Sequence, residues 1–341
     1  MQKDPTLIIA EAGVNHNGDL SMAKRLIDAA AAAGVDLVKF QTFKADDLVS
    51  KSAKQADYQK RNLGSDEDTQ YAMLKKLELD DAAHNELKDY ATSKGVEFFS
   101  TAFDVKGLDY LNEFGFECFK IPSGEITNYP YLKRLAEFGK SVILSTGMAD
   151  MAEIQAAITV LEKGIKRKDI TVLHCNTEYP TTMKDVNLKA MLAIREELNV
   201  AVGYSDHTLG IEVPIAAVAL GATVIEKHFT LDRSLPGPDH KASLEPSELS
   251  NMVKAIRNIE KAISGDGIKK PSASELKNKA IARKSIHLNK NVEKGVILKE
   301  TDLVTLRPGD GISPMEWDNV IGRKINQDLS QGSILKPEHL Q

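Results

Sequence analysis

Eight short apolar segments recur along this chain of 341 residues, and helical patterns separate them. The segments are rich in Val, Ile and Phe, which is typical of buried parallel strands. They are Leu7–Gly13, Leu37–Thr42, Glu97–Phe103, Cys118–Glu125, Ser141–Gly147, Ile170–Asn176, Ala201–His207 and Thr223–Phe229. Strands that alternate with helices imply right-handed crossovers and a parallel sheet. Eight such units within about 260 residues predict a (β/α)₈ TIM barrel.

An open, doubly wound sheet is the alternative architecture. Such a sheet usually carries a glycine-rich phosphate-binding turn after its first strand. The turn at this place, Gly13–Gly18, reads GVNHNG and lacks the GxGxxG spacing. We therefore assign residues 1–265 to a closed catalytic barrel.

The connection Phe43–Asp80 is unusually long and polar. Long connections in compact domains are commonly functional, so this one is a candidate lid or sugar-contacting loop. The alternative is a partly helical surface insertion, since Asp57–Arg61 and Thr69–Leu77 have helical patterns. The two interpretations have equal support from the sequence.

The composition changes after the barrel. Residues 266–282 are rich in Gly, Pro, Ser and Lys and predict a linker. Residues 283–341 predict a small β-rich domain, in which KGVILKETDL (Lys294–Leu303) resembles QGSILKPEHL (Gln331–Leu340). Such an internal repeat favours a pseudo-symmetric module.

The overall charge excludes several classes of protein. The net charge is −5 and no basic stretch stands out, so we expect neither nucleic acid nor an anionic membrane as a partner. No apolar run approaches the roughly 20 residues of a membrane span, and the N-terminus lacks a signal-peptide pattern. We expect a cytoplasmic protein whose two cysteines, Cys118 and Cys175, are reduced.

Polar side chains cluster at the ends of the predicted strands. In a barrel these carboxyl ends meet at one face, where active sites are built. The residues concerned are Glu11, Lys39, Gln41, Thr101, Lys120, Ser123, Glu125, Ser145, Asn176, Ser205, His207 and His228. A barrel with a purely structural role would not need charge at so many strand ends.

Two histidines end neighbouring strands, His207 the seventh and His228 the eighth. Adjacent strands lie about 4.8 Å apart, so both imidazoles can bind one divalent cation. Nitrogen and oxygen ligands suit Mn²⁺, and two protein ligands leave positions open for water and substrate. A single histidine would more often be a satisfied core residue, but the pair favours a metal site.

Two lysines, Lys39 and Lys120, lie inside apolar strands, where an unpaired charge is costly. If both face one cavity, they can bind a phosphate and a carboxylate, with neighbouring hydroxyls as further donors. The alternative is an ion pair with Glu11 or Glu125, but a pair would not explain the hydroxyls. If Glu11 and Glu125 are not used in such pairs, each could act as an acid–base group or accept a hydrogen bond from a substrate hydroxyl.

Several sequence strings resemble the sialic acid synthase family. They are IIAEAGVNHNGD, VKFQT, FFSTAFD, FKIPSGE, LSTGM, GYSDHTLG, IEKHFT and GPDHKASLEP, in that order along the chain. The C-terminal segment with LRPG resembles the antifreeze-like (SAF) domain of that family, which has a β-clip fold. The resemblance covers essentially the whole chain.

This resemblance implies a reaction: phosphoenolpyruvate, an N-acylated mannosamine-type sugar and water give a nine-carbon 2-keto sugar acid and phosphate. It implies that His207 and His228 bind the metal, Mn²⁺ or alternatively Mg²⁺ or Co²⁺, and that Glu11 stabilises an oxocarbenium-like centre. The implied phosphoenolpyruvate ligands are Lys39, Thr101, Lys120, Ser123, Ser145, Asn176 and Ser205. The implied sugar-side residues are Gln41, Glu125, Tyr179, Asp239 and Arg307. Arg307 would reach the active site of a partner subunit, which implies a domain-swapped homodimer.

The sugar itself is left with two candidates. N-acetylmannosamine would give N-acetylneuraminate, which is our prediction. A 2,4-diacetamido-2,4,6-trideoxymannose, giving N,N'-diacetyllegionaminate, is the alternative. Two other functions compete: a metal-dependent aldolase or aromatic-pathway keto-acid synthase, and a non-catalytic ice- or carbohydrate-binding module. The cationic strand ends argue against the binding module.

Overall fold

The computed structural model describes residues 4–54 and 69–341, and the chain forms two compact units, Met1–Ser264 and Gly265–Gln341. Within the described residues, the first unit contains eight strands, all paired in parallel, in the order β3-β2-β1-β8-β7-β6-β5-β4. Strand β3 also packs beside β4, which closes the cylinder. The strands are β1 Leu7–Gly13, β2 Leu37–Thr42, β3 Glu97–Ala102, β4 Cys118–Ile121, β5 Ser141–Ser145, β6 Ile170–Cys175, β7 Ala201–Asp206 and β8 Val224–His228. The predicted (β/α)₈ barrel is confirmed.

Helices cover the outside of this barrel and bury aliphatic faces against the strands, as Leu26 and Ile27 of the first helix do. The helices described in the first unit are α1 Leu20–Ala33, α2 Ala45–Leu48, α3 Gln70–Leu77, α4 Asp81–Ser93, α5 Val105–Glu113, α6 Tyr129–Phe138, α7 Met151–Leu161, α8 Leu188–Leu198, α9 Glu212–Ala219 and α10 Pro246–Ala262. Of these, α2 and α3 belong to the connection after β2 and pack in a cluster of their own. Side-chain caps set several of the starts; Asp19, for example, accepts a 2.7 Å hydrogen bond from the Ser21 amide. Short 3₁₀ helices occupy Ser123–Glu125, Arg167–Asp169, Met183–Asp185 and His240–Ala242.

The long connection after β2 contains helices α2 and α3. The helix predicted over Thr69–Leu77 is confirmed as α3, with Thr69 as its N-cap. The second helical pattern, Asp57–Arg61, lies outside the described residues. The described part of this connection is therefore the partly helical insertion considered above, and it also borders the cavity described below.

The strand register brings the polar strand ends to one level. Glu11 on β1 pairs with Lys39 on β2 and with His228 on β8, and Gln41 pairs with Thr101. Side chains alternate between the two faces of a strand, so residues two apart share a face. This geometry places charged groups from separate strands around one hollow.

The second unit is a small β-rich fold. Helix α11 Ala273–Ala282 precedes strands β9 Ser285–Leu288 and β10 Leu303–Leu306, which pair antiparallel, and α12 Trp317–Val320 follows a 3₁₀ turn at Pro314–Glu316. The segment predicted as a linker, 266–282, contains α11, which begins with a Ser272–Glu275 capping box. The unit has its own apolar core of Ile286, Leu288, Val292, Leu298, Leu303, Val320, Ile325 and Leu335.

The two copies of the internal repeat fold alike. The second residue of each copy is a glycine in the left-handed region, Gly295 at φ 89° and Gly332 at φ 80°. Each buries its leucine, Leu298 or Leu335, and continues into a 3₁₀ turn, Glu300–Asp302 in the first copy and Pro337–His339 in the second. The repeat is thus one structural unit used twice.

Across 4–54 and 69–341, the protein has no helix that is both long and apolar enough to cross a membrane.

Candidate active site

A cavity of about 650 Å³ opens at the carboxyl ends of the barrel strands. Most of the predicted site residues line it together: Glu11, Lys39, Gln41, Thr101, Lys120, Ser123, Glu125, Ser145, Tyr179, Ser205, His207, His228 and Asp239. The volume is that of a small-molecule site. The sequence-predicted residues of the barrel therefore share one chamber, with a single exception described below.

Two buried ammonium groups lie on either side of one carboxylate at the bottom of this cavity. Lys39 Nζ lies 3.6 Å from Glu226 Oε2, and Lys120 Nζ lies 3.5 Å from Glu226 Oε1. Lys39 also pairs with Glu11 at 2.6 Å, which is the ion pair considered as the alternative above. This ion pair is present together with the hydroxyl groups described below. The two ammonium groups are therefore paired with carboxylates and also border the cavity.

Burial and charge shift the acid–base properties of this cluster. Burial raises the pKa of Glu11, and the attraction of Lys39 offsets only part of that rise. Burial would raise the pKa of Glu226 as well, but Lys120 and Lys39 outweigh it and hold that pKa below its usual range. Burial lowers the pKa of Lys120. An anion bound beside Lys120 would favour the charged form of its ammonium group.

Hydroxyl groups surround the two lysines. Thr101 accepts from Lys39 at 3.1 Å, and Ser145 accepts from Lys120 at 2.6 Å. Ser205 donates to Glu226 at 2.9 Å, while Ser123 accepts from the amide of Gly147 at 2.9 Å. Ammonium and hydroxyl donors together match the oxygens of a phosphate or carboxylate.

The two imidazoles predicted to bind a metal lie side by side. His207 Nδ1 donates to the carbonyl of Asn176 at 2.6 Å, which leaves Nε2 with a free lone pair. His228 Nδ1 is buried, has no hydrogen-bond partner, and lies 4.0 Å from a carboxylate oxygen of Asp239. Burial lowers the pKa of His207 to about 4 and that of His228 well below its usual value, so both rings are neutral at pH 7.

These two rings fit a divalent cation. The unpartnered His228 Nδ1 is a buried acceptor without a donor, and the Asn176 carbonyl orients His207 as an outer-shell partner would. Among the described residues, no group of three or more His, Cys, Asp or Glu side chains is gathered for a metal. A cation here would have two protein ligands and several open positions.

The predicted sugar-side residues lie around the upper part of the cavity. Gln41 donates to Glu11 over 3.4 Å, and Glu125 accepts from Asn128 at 2.6 Å. The ring of Tyr179 lies 4.1 Å from that of His207, centroid to centroid. Burial raises the pKa of Asp239 to about 6.

Two predicted residues lie elsewhere. The side chain of Asn176 does not line the cavity; its Oδ1 accepts from the amide of Glu178 at 2.8 Å, and only its backbone touches the site, through His207. Arg307 follows β10 in the second unit, is exposed, and precedes a cis peptide bond to Pro308. The described parts of the barrel and of the C-terminal unit thus each carry part of the predicted residue set.

Glu226 and Cys175 also line the cavity, and neither was predicted as a site residue from the sequence. Glu226 lies two residues before His228, and this spacing placed it on the same face of the strand. Cys175 faces the cavity, and its neighbour His174 instead bonds the carbonyl of Val186 outside. Both Cys118 and Cys175 are free thiols, as predicted.

Comparison with known proteins identifies the family. Residues 26–269 match the NeuB family, and residues 283–341 match the SAF domain. The N,N'-diacetyllegionaminic acid synthase of Campylobacter jejuni is 54% identical over 97% of this chain and 99% of its own length. The enzyme of the same name from Legionella pneumophila is 50% identical over 98% of this chain and 94% of its own.

A solved structure agrees with this result. The N-acetylneuraminic acid (sialic acid) synthetase of Leptospira borgpetersenii, in complex with citrate, is 38% identical, with a TM-score of 0.70 over 81% of this chain and 90% of that one. The two family matches and the two Campylobacter and Legionella relatives cover both units of the chain. The chain belongs to the NeuB family, and the protein is an enzyme of the class that forms a carbon–carbon bond in nonulosonic acid synthesis.

Proposed function

We propose that the protein condenses phosphoenolpyruvate with 2,4-diacetamido-2,4,6-trideoxymannose and water to give N,N'-diacetyllegionaminate and phosphate. The two relatives named for that product share 54% and 50% of their residues with this chain over nearly its full length. The synthetase named for N-acetylneuraminic acid shares 38%. The similarity therefore favours the diacetamido sugar over our prediction of N-acetylmannosamine.

One observation carries the phosphoenolpyruvate half of the proposal. Lys39 and Lys120 converge on Glu226 at the bottom of the cavity, with hydroxyl groups beside each ammonium. Both ammonium groups border the cavity, and each has a hydroxyl group beside it, so together they offer donors to the phosphate and carboxylate oxygens of an incoming anion. We assign the phosphate and carboxylate of phosphoenolpyruvate to Lys39, Thr101, Lys120, Ser123, Ser145 and Ser205.

A divalent cation completes the site in this proposal, held by His207 and His228. When bound, it supplies Lewis-acid polarisation of a substrate oxygen, and Mn²⁺ suits the ligand set. Asn176 then acts as a positioning residue, because its carbonyl fixes the tautomer and orientation of His207.

The remaining residues orient the two substrates and stabilise the charge that develops during the reaction. The C2=C3 electrons of phosphoenolpyruvate form a bond to the aldehyde carbon of the open-chain sugar, whose oxygen becomes a hydroxyl. Positive charge develops at C2, where the carboxylate of Glu11, oriented by Lys39 at 2.6 Å, stabilises it. Water adds to C2 and releases one proton, which balances the proton taken up by the aldehyde oxygen. The C2 hydroxyl then gives its proton to the departing phosphate as the C2=O bond forms and the bond from C2 to the bridging oxygen breaks.

The sugar is oriented by the polar residues above this floor. Gln41, Glu125, Tyr179 and Asp239 border the same cavity and offer amide, carboxyl and phenol groups to hydroxyl and acetamido substituents. By family resemblance, Arg307 of a partner subunit completes the site, and the active protein is a domain-swapped homodimer.

The experiment is a product assay with defined substrates. Purified protein is incubated with Mn²⁺, phosphoenolpyruvate and either 2,4-diacetamido-2,4,6-trideoxymannose or N-acetylmannosamine, and phosphate and nine-carbon acids are measured. The expected result is stoichiometric acid and phosphate, with a higher kcat/KM for the diacetamido sugar.

Two controls make the result specific. The first control omits the sugar, because phosphate release without it would indicate simple hydrolysis. The second uses phosphoenolpyruvate with ¹⁸O in its bridging position, and the label should appear in phosphate if the C–O bond is the one that breaks. A higher kcat/KM for N-acetylmannosamine would overturn the sugar assignment, and no acid from either sugar would overturn the proposed reaction.

A further inference from the structure

One side of the active-site cavity is aliphatic. Leu48 is the last residue of helix α2 and Val49 follows it, while Met73, Leu74 and Leu77 lie along one face of helix α3. All five line the cavity that also contains the lysines and histidines. We call these five residues the aliphatic wall.

The aliphatic wall is supported from behind and held at its ends. Met73, Leu74 and Leu77 belong to a buried cluster with Val14, Phe43 and Ala45. The amide of Gln70 donates to the Ala53 carbonyl at 3.0 Å, and that of Ala45 donates to Glu78 at 2.7 Å. The phenol of Tyr71 donates to Asp46 at 2.7 Å. The bonds made by Ala45 and Asp46 join α2 to the segment of α3 and hold the two parts of the wall together.

A close backbone approach adds to this rigidity. Gly18, at φ 77°, packs so tightly that a Cβ atom there would collide with the carbonyl oxygen of Lys76. Only glycine combines that conformation with such a short approach. The turn after β1 thus buttresses the end of α3.

Phosphoenolpyruvate offers little to an aliphatic surface. Its phosphate and carboxylate match the ammonium and hydroxyl groups at the cavity floor, and its one methylene is the reacting carbon. The wall therefore faces the other substrate. A sugar hydroxyl placed against the wall would lose its hydrogen bonds to water without forming new ones, which weakens binding. A methyl group in the same place would be removed from water, which strengthens binding.

The geometry of the reaction decides which end of the sugar meets the wall. The aldehyde must lie over the cavity floor, so carbons C4 to C6 point towards the rim. The wall residues come from the connection beyond the end of β2 and therefore lie at that rim.

We propose that the aliphatic wall selects the sugar by its deoxygenated and acylated end. It contacts the C6 methyl group and the methyl of the C4 acetamido group, and it disfavours hexosamines with free hydroxyls at C4 and C6. This inference rests on the proposed function, because it names the residues that set its sugar specificity.

The test uses Val49→Thr and Leu48→Asn. Both residues are half-buried, so polar replacements should not open the core. We measure kcat/KM for the diacetamido sugar and for N-acetylmannosamine at saturating phosphoenolpyruvate, together with the KM for phosphoenolpyruvate. Each variant should lose about tenfold in the ratio of the two kcat/KM values, mainly through the KM of the diacetamido sugar. The KM for phosphoenolpyruvate should not change.

Leu220→Asn is the matched control, because Leu220 caps helix α9, is 38% exposed and does not border the cavity. Val49→Ile, which keeps the aliphatic surface, should retain the wild-type preference. Equal losses for both sugars, or a parallel rise in the KM for phosphoenolpyruvate, would overturn the inference while the proposed function stands. A wild-type protein that makes no nonulosonate from either sugar would instead overturn the proposed function, before any variant is made.

Discussion

The imidazole rings of His207 and His228 lie 5.4 Å apart, centroid to centroid, with their planes inclined by 48°. Both rings are buried and neutral, and the second has an unpartnered nitrogen. Two neutral imidazoles held this close without an acid between them favour a shared cation. We therefore expect one Mn²⁺ per barrel, measured by calorimetry or by the loss of the free Mn²⁺ electron-spin-resonance signal.

Replacing either ring should remove this binding. His228→Ala should weaken Mn²⁺ binding by at least about 100-fold, since even outer-shell changes cost about 10- to 100-fold. His339→Gln in the C-terminal unit is the control and should bind as the wild type does. Unchanged Mn²⁺ affinity in His228→Ala would contradict the metal assignment, whatever happens to turnover.

The serine beside Lys120 gives a second prediction. Ser145→Ala removes a hydroxyl that lies 2.6 Å from the Lys120 ammonium, so the KM for phosphoenolpyruvate should rise about ten- to a hundredfold. Ser141 begins the same strand and donates to the Glu117 carbonyl at 3.0 Å, so Ser141→Ala is a matched control. Steady-state kinetics at fixed sugar would measure both. An equal rise in the two variants would point to general damage of the strand.

The strands and helices of the barrel could be predicted from the sequence because the spacing of their apolar residues follows from which faces are buried. Strand β2 occupies Leu37–Thr42, as predicted, since five of its six residues are buried in the barrel wall. The fourth strand is shorter than predicted. It ends at Ile121, because Pro122 lacks the amide proton that would continue the ladder.

The candidate site was predictable where strand geometry alone places a side chain. Asn176 shows the limit: it follows a strand end, yet its amide oxygen accepts from the Glu178 backbone in a local turn. Such side-chain turns compete with ligand contacts and depend on the loop conformation. The aliphatic wall was also missed, because Leu48 and Leu74 meet only after the connection folds.

A buried histidine away from the cavity predicts acid sensitivity. His16 is fully buried, its Nδ1 accepts from the Gly18 amide at 3.0 Å, and its Nε2 has no partner. Burial is the largest cause, and together with the neighbouring His84 and His240 it lowers the pKa of His16 from 6.5 to about 4, against the opposing effect of Asp19. Between pH 6.5 and 4 the unfolded chain binds a proton that the folded chain does not. The free energy of unfolding should therefore decrease as the pH is lowered from 6.5 to 4, and this group should account for roughly 3 kcal/mol of the decrease.

The variant that tests this prediction is His16→Asn, whose amide oxygen can still accept from the Gly18 backbone. Its thermal midpoint should lie below that of the wild type at pH 7, because the smaller side chain leaves a cavity. The difference should shrink as the pH falls to 4. His339→Gln serves as the control. A difference that stays constant between pH 7 and 4 would show that His16 does not carry the acid sensitivity.

The family resemblance of Arg307 predicts that active sites are shared between subunits, and complementation between inactive variants would test this directly. Arg307→Ala keeps an intact barrel, and His207→Ala keeps an intact C-terminal arginine. If each arginine serves the partner's barrel, a mixed dimer has one complete site of its two, and the mixed dimer purified through both tags should recover roughly one half of the wild-type activity per dimer. If each arginine serves its own barrel, the mixed dimer has no complete site and no activity returns. Because each variant alone is inactive or severely impaired, recovery in the doubly purified mixed species can come only from an arginine that crosses the subunit interface.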